Sequence, residues 1–153
     1  MNSTELIVAL KIPDNIALTA LKALHNLEFS KVNELKRADY YSFESSSDYR
    51  EKLSRCDILV NANKHSVSFS LEDKYDINND DNYVNILVTS RGDDGDDLLH
   101  ILNERLGFTI KRVKRGTLWT FVFDKSVQFP KQEAVKAVEK LLCNQHYQEY
   151  EFK

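Results

Sequence analysis

A nine-residue stretch of this chain is written twice. Leu35-Lys36-Arg37-Ala38-Asp39-Tyr40-Tyr41-Ser42-Phe43 returns as Val113-Lys114-Arg115-Gly116-Thr117-Leu118-Trp119-Thr120-Phe121, 78 positions on in a chain of 153 residues. Two further pairs keep the same order. Leu27-Glu28-Phe29 matches Leu106-Gly107-Phe108 at an offset of 79, and Asn63-Lys64-His65 matches Asn144-Gln145-His146 at 81. A period of about half the chain predicts two related units in tandem. Units of roughly 70 residues bury little interior alone, so they are expected to pack against each other.

The order of elements supports the same division. In the first half, Leu6 to Leu10 is an unbroken apolar run suited to a strand buried on both sides. Ala17, Ala20, Leu21, Leu24 and Leu27 then recur at helical spacing. An aromatic-rich strand from Glu34 to Glu44 follows. Asp48 and Glu51 next form a capping box for a second helix with Tyr49, Leu53, Cys56 and Val60 inside. Val67, Phe69 and Leu71 alternate with serines, as in a strand with one wet face. The second half repeats the order. Its strand Val84–Val88 leads to a helix carrying Leu98, Leu99, Leu102 and Leu106, and then to a strand from Ile110 to Phe123. A helix after Pro130 and a strand ending at Phe152 complete it. The expected fold is α+β: two β-α-β-α-β repeats, ferredoxin-like β-α-β-β-α-β if the middle strand is broken, packed as a pseudo-dimer.

Charge places the joint. Residues 1–71 hold nine basic and nine acidic side chains, and residues 83–153 hold eleven and ten. Segment 72–82 has one Lys against five acids, which suits a solvated acidic linker between repeats 1–71 and 83–153. The net charge of −3 lacks the basic footprint of a dedicated nucleic-acid binder. With no signal-like segment and no long apolar run, a soluble cytoplasmic protein is expected. The two cysteines, Cys56 and Cys143, have no metal-type spacing and read as buried thiols.

Candidate chemistry is sparse. Asp93-Asp94-Gly95-Asp96-Asp97 is the densest carboxylate cluster, but it lacks the spacing of a calcium loop. Acids before a helix are favoured by capping and by the helix dipole, which is the reading adopted. Arg91-Gly92-Asp93 matches an adhesion tripeptide by coincidence. His65 and His146 are the matched histidines, and a shared turn explains them better than paired bases. Lys36, Arg37, Lys114 and Arg115 stand near Tyr40, Tyr41 and Trp119 on strands. Three readings stay open for them: charges facing water over a buried aromatic layer, a protein interface, or a basic-aromatic face for RNA. No phosphate-cradling glycine loop, nucleophile elbow or zinc spacing is present, so neither catalysis of its own nor a cofactor is expected.

Ala23-Leu24-His25-Asn26-Leu27-Glu28-Phe29, the paired Leu35-Lys36-Arg37-Ala38 and Val113-Lys114-Arg115-Gly116, and Glu139-Lys140-Leu141-Leu142-Cys143-Asn144 with Glu149-Tyr150 resemble motifs of the PurS family. That family is the small subunit of phosphoribosylformylglycinamidine synthase. Glu28 and Ala38 stand where the family has Gly. The tandem is similar to the PurS-like N-terminal region of large single-chain synthases. The resemblance implies a non-catalytic accessory subunit in de novo purine synthesis. It would bridge the large synthetase subunit and the glutaminase subunit and support ammonia transfer between them. Lys36, Arg37, Tyr40, Lys114, Arg115 and Trp119 are then the expected contact surface, as exposed aromatic and arginine anchors. A regulatory module binding a small molecule between the repeats, or an RNA-binding protein, is the alternative. Further self-association is left open.

Overall fold

A computed structural model describes residues 2–71 and 82–153. The expected linker therefore lies outside the described residues, except for Asn82. Among the described residues the elements run β1 (Asn2–Leu10), α1 (Asn15–Asn26), β2 (Val32–Ser45), α2 (Arg50–Ser54), β3 (His65–Ser68), β4 (Tyr83–Ser90), α3 (Asp96–His100, continued by a π-helical turn, Ile101–Arg105), β5 (Ile110–Phe123), α4 (Pro130–Ala137, continued by a π-helical turn, Val138–Leu142) and β6 (Gln148–Phe152). The fold is α+β, with strand order β3-β1-β2-β5-β4-β6. β1 runs antiparallel to β2 and β3, and β4 runs antiparallel to β5 and β6. Both long strands, β2 and β5, run unbroken for 14 residues, so neither repeat splits its middle strand in sequence.

The residues group into two compact units that cut across the two halves of the sequence. Among the described residues, unit one comprises 2–11, 39–71 and 92–116, and unit two comprises 12–38, 82–91 and 117–153. The chain changes unit inside β2 after Ala38 and inside β5 after Gly116, which are matched positions of the repeated nonapeptide. α1 therefore belongs with the strands of the second half, and α3 with those of the first.

Unit one packs Leu6 and Val8 of β1, Phe43 of β2, and Leu53, Cys56 and Val60 in and beyond α2 against Leu98 and Leu102 of α3 and Phe108, Ile110 and Val113. Leu6, Ile7 and Val8 are all buried, as the unbroken apolar run predicts for a strand buried on both sides. The expected capping box does not form, because Tyr49 rather than Asp48 is the N-cap residue and it makes no side-chain cap bond. Asp48 accepts the N–H of Arg50 at 3.1 Å, but Glu51 turns outward to Arg55 at 2.9 Å. α2 itself is a single short helix of five residues.

Unit two packs Ala17 and Leu24 of α1 and Val32 and Leu35 of β2 against Val84, Ile86 and Val88 of β4, Trp119, Phe121 and Phe123 of β5, and Ala134, Ala137 and Val138 of α4. This burial decides where α1 goes. Its apolar positions need a complementary sheet face, and the second half supplies it. Asp14 caps the helix, its Oδ1 accepting from the N–H groups of Ile16 and Ala17 at 3.0 and 3.2 Å.

Candidate functional site

The six sequence-predicted contact residues fall into three kinds. Tyr40 and Trp119 are buried, at 2% and 7% exposure. This corrects the expectation that they stand out as exposed anchors. Tyr40 donates its hydroxyl to Glu5 at 2.8 Å, and Trp119 belongs to the core of unit two. Trp119 lies on the core face of its strand opposite Ile86, whereas Tyr40 lies opposite Ile7 on the other face from Phe43, and neither ring is an exposed stacking surface. Tyr41 is half-buried and stacks on Phe43, and its phenol is pushed up by burial and by Asp39.

Arg37 and Arg115 are both committed to their own fold, and in the same way. Arg37 grips Asp14 with Nε at 2.9 Å and a second nitrogen at 3.3 Å. Arg115 grips Asp93 with Nε at 2.9 Å and a second nitrogen at 3.2 Å, and also reaches Asp97 at 2.8 Å. Each pair ties the middle strand of a repeat to the entry of the helix before it. The forked guanidinium suits this two-point grip on a carboxylate. Hydrogen bonds from Arg115 hold the Asp93 and Asp97 carboxyls below their ordinary range. Asp93 and Asp94 also accept the N–H groups of Gly95 and Asp96, so the acidic cluster is a loop closure and a counter-charge. Lys36 lies 3.7 Å from Glu34, and Lys114 is exposed on β5.

The histidine match shifts register. Asn61 accepts the N–H of Asn63 and gives its own N–H to His65 Nδ1. Asn144 accepts the N–H of His146 and gives its own N–H to Gln148 Oε1. Structurally Asn61 corresponds to Asn144, and His65 to Gln148. The turn is shared, but His65 and His146 are not counterparts. His25 has a counterpart the sequence did not announce. Its Nε2 meets the carbonyl of Val32 at 2.8 Å, while Asn103 Nδ2 donates to the carbonyl of Ile110 at 2.9 Å.

A concavity in unit two was missed in the sequence. It holds about 460 Å³ where the turn after α1 meets the entry to α4, bounded by Phe29, Lys31, Phe123, Ser126, Phe129 and Gln132. Phe129 is 56% exposed there. An exposed Phe beside a helix-initiating Pro was the available signal. Among the described residues, no group of three His, Cys, Asp or Glu side chains is placed to hold a metal ion. No helix among them is long and apolar enough to cross a membrane. Cys56 and Cys143 are buried, and burial pushes the Cys143 thiol up.

Comparison with protein-family models gives no match, and comparison with characterised proteins gives none either.

Proposed function

We propose that this chain is a duplicated, PurS-like accessory subunit of a glutamine- and ATP-dependent C–N ligase complex, phosphoribosylformylglycinamidine synthase. It would act in the cytoplasm, bridging the synthetase and glutaminase subunits and supporting ammonia transfer without catalysis of its own. The observation that carries the tandem reading is the repeated clasp, Arg37 on Asp14 and Arg115 on Asp93, at matched positions and with matched distances. The purine-synthesis assignment itself rests on the motif resemblance in the sequence.

The exchange of segments adds to the tandem reading. Among the described residues each unit collects two helices and four strand segments. In unit one the segments run β3-β1-β2-β5, and in unit two β6-β4-β5-β2. With half of each long strand counted separately, that order is the one a ferredoxin-like β-α-β-β-α-β unit requires. The break expected in the middle strand would then be supplied by passage between units. Two chains of one repeat each could make the same exchange as a dimer, and joining them makes the association intramolecular.

In this reading Lys36 and Lys114 form part of the surface that the partner subunits contact. The test is native co-purification from the source cell with glutamine, ADP and Mg²⁺ present, read by mass spectrometry. Recovery of a synthetase and a glutaminase subunit is the expected result. Recovery of this chain alone, under conditions that preserve a control complex, would remove the accessory role.

A further inference from the structure

Unit one fills a place that unit two leaves open. In unit one, Tyr49 immediately precedes α2 and lays its ring edge-on to Phe108, with centroids 5.0 Å apart and planes at 76°. Its phenolic oxygen accepts the N–H of Thr109, the next residue along, at 3.2 Å. Lys52 Nζ caps the pair, 4.8 Å from the Phe108 centroid. The arrangement closes the gap between a helix exit and a helix entry, and it uses both ends of an amphipathic ring.

In unit two the same elements meet without that plug. Phe29 corresponds to Phe108, since each follows the left-handed residue that ends its helix, Glu28 or Gly107. Phe129 corresponds to Tyr49, since each is the residue immediately before its helix. Phe129 has no oxygen to accept a backbone N–H, and it stands 56% exposed. What remains is the cavity of about 460 Å³, within the ~300–1,000 Å³ range of ligand pockets.

We infer that this cavity receives a tyrosine side chain of a partner protein, seated as Tyr49 is seated in unit one. The ring lies against Phe29, and the phenolic oxygen accepts a backbone N–H from the Ser30–Lys31 turn. The inference rests on the accessory-subunit reading for the partner being a protein, and on the internal correspondence for the chemistry. The chain carries its own example of the occupant.

The test uses the whole protein, ¹⁵N-labelled, titrated with the pentapeptide Ac-Ser-Ala-Tyr-Ala-Ser-NH₂ and with its Phe counterpart. The expected result is saturable amide shifts confined to residues 29–32 and 126–133, with the Phe peptide at least fivefold weaker. F129Y supplies the missing oxygen from within and is expected to weaken the tyrosine peptide at least tenfold. Absence of shifts in the wild-type protein overturns the inference whatever the variant does. Equal binding of both peptides overturns the hydrogen bond that defines it. Shifts from N-acetyltyrosinamide but not from the pentapeptide would assign the cavity to a free phenolic molecule and overturn the partner. These outcomes are independent of co-purification. A recovered complex with no tyrosine binding would sink this inference alone, and tyrosine-peptide binding with no complex would sink the synthase partners while leaving the tyrosine site.

Discussion

Glu28 and Gly107 share one backbone conformation, φ 75° and 73°, at matching helix ends. The Glu28 N–H reaches the carbonyl of His25 at 3.2 Å and the Phe29 N–H that of Leu24 at 3.0 Å, a closure that needs a left-handed residue. Glycine takes that conformation without a Cβ penalty, whereas glutamate does not. Glu28→Gly is therefore expected to stabilise the protein by about 0.5–1 kcal/mol, less whatever the freer unfolded chain takes back. Gly107→Ala, whose added Cβ would meet nothing within 4 Å, should destabilise by about 1 kcal/mol through backbone strain alone. Urea midpoints of the two variants against wild type check both signs.

The Arg115 clasp makes stability fall in acid. Asp93 and Asp97 have folded pKa values below their unfolded ones, so their contribution is fully present above the unfolded value near ~3.9. It is lost as pH falls through the depressed folded values. Arg115→Gln should flatten the stability–pH curve below pH ~4 and lower stability at pH 7. Denaturant titrations from pH 7 to pH 2.5 read this. A mutant curve parallel to wild type throughout would remove the clasp as the cause.

Asp14 does two jobs, whereas Asp93 holds Arg115 and closes a turn while α3 has no side-chain cap. Asp14 caps α1 through two N–H groups and holds Arg37, with its side chain only 15% exposed against 27% for Asp93. Asp14→Ala is expected to cost about 1.5–3 kcal/mol, more than Asp93→Ala, because a cap and a charge-assisted pair go together. Thermal or urea unfolding of the two variants decides the order.

Cys143 is 5% exposed and its thiol is pushed up by burial, so a disulfide reagent at pH 8 should modify it only as the protein unfolds. Its modification rate should therefore rise steeply at the urea midpoint. Fast labelling of Cys143 in the native protein would contradict the packing of unit two.

The elements themselves were legible. The period-two and helical patterns place β1, α1, β2, β4 and β5 within a few residues, and β5 from Ile110 to Phe123 coincides with its predicted span. Which half each helix packs against was not legible, because Ala17 and Leu24 are apolar whatever sheet they cover. Helix length also misled. The aligned halves differ by one residue between Leu24–Phe29 and Leu102–Phe108, and the π-helical turn at Ile101–Arg105 absorbs it. Alternation should have turned Trp119 inward with Phe121 and Phe123, but it sets Tyr40 on the face opposite Phe43, so the burial of Tyr40 was not legible. Arg37 and Arg115 drew attention as a recurring basic pair, while their partners Asp14 and Asp93 lay more than twenty residues upstream. The cavity in unit two is formed by segments about a hundred residues apart, which no local pattern announces.

Leu24 offers a discriminating perturbation. It is fully buried, so Leu24→Ala should cost about 2–5 kcal/mol. Although Leu24 lies in the first half of the sequence, the fastest-rising amide exchange is expected in β4 and β6, with β1 and β3 less affected.

The most direct test of the exchanged helices is a methyl NOE spectrum of the whole protein labelled at Ile, Leu and Val. The account predicts cross-peaks from Leu21 and Leu24 to Ile86, Val138 and Leu142, and from Leu98 and Leu102 to Leu6, Val8 and Leu53. Cross-peaks from Leu24 to Leu6 and Val8, with Leu102 meeting Ile86 and Val88, would place each helix on its own half and contradict it.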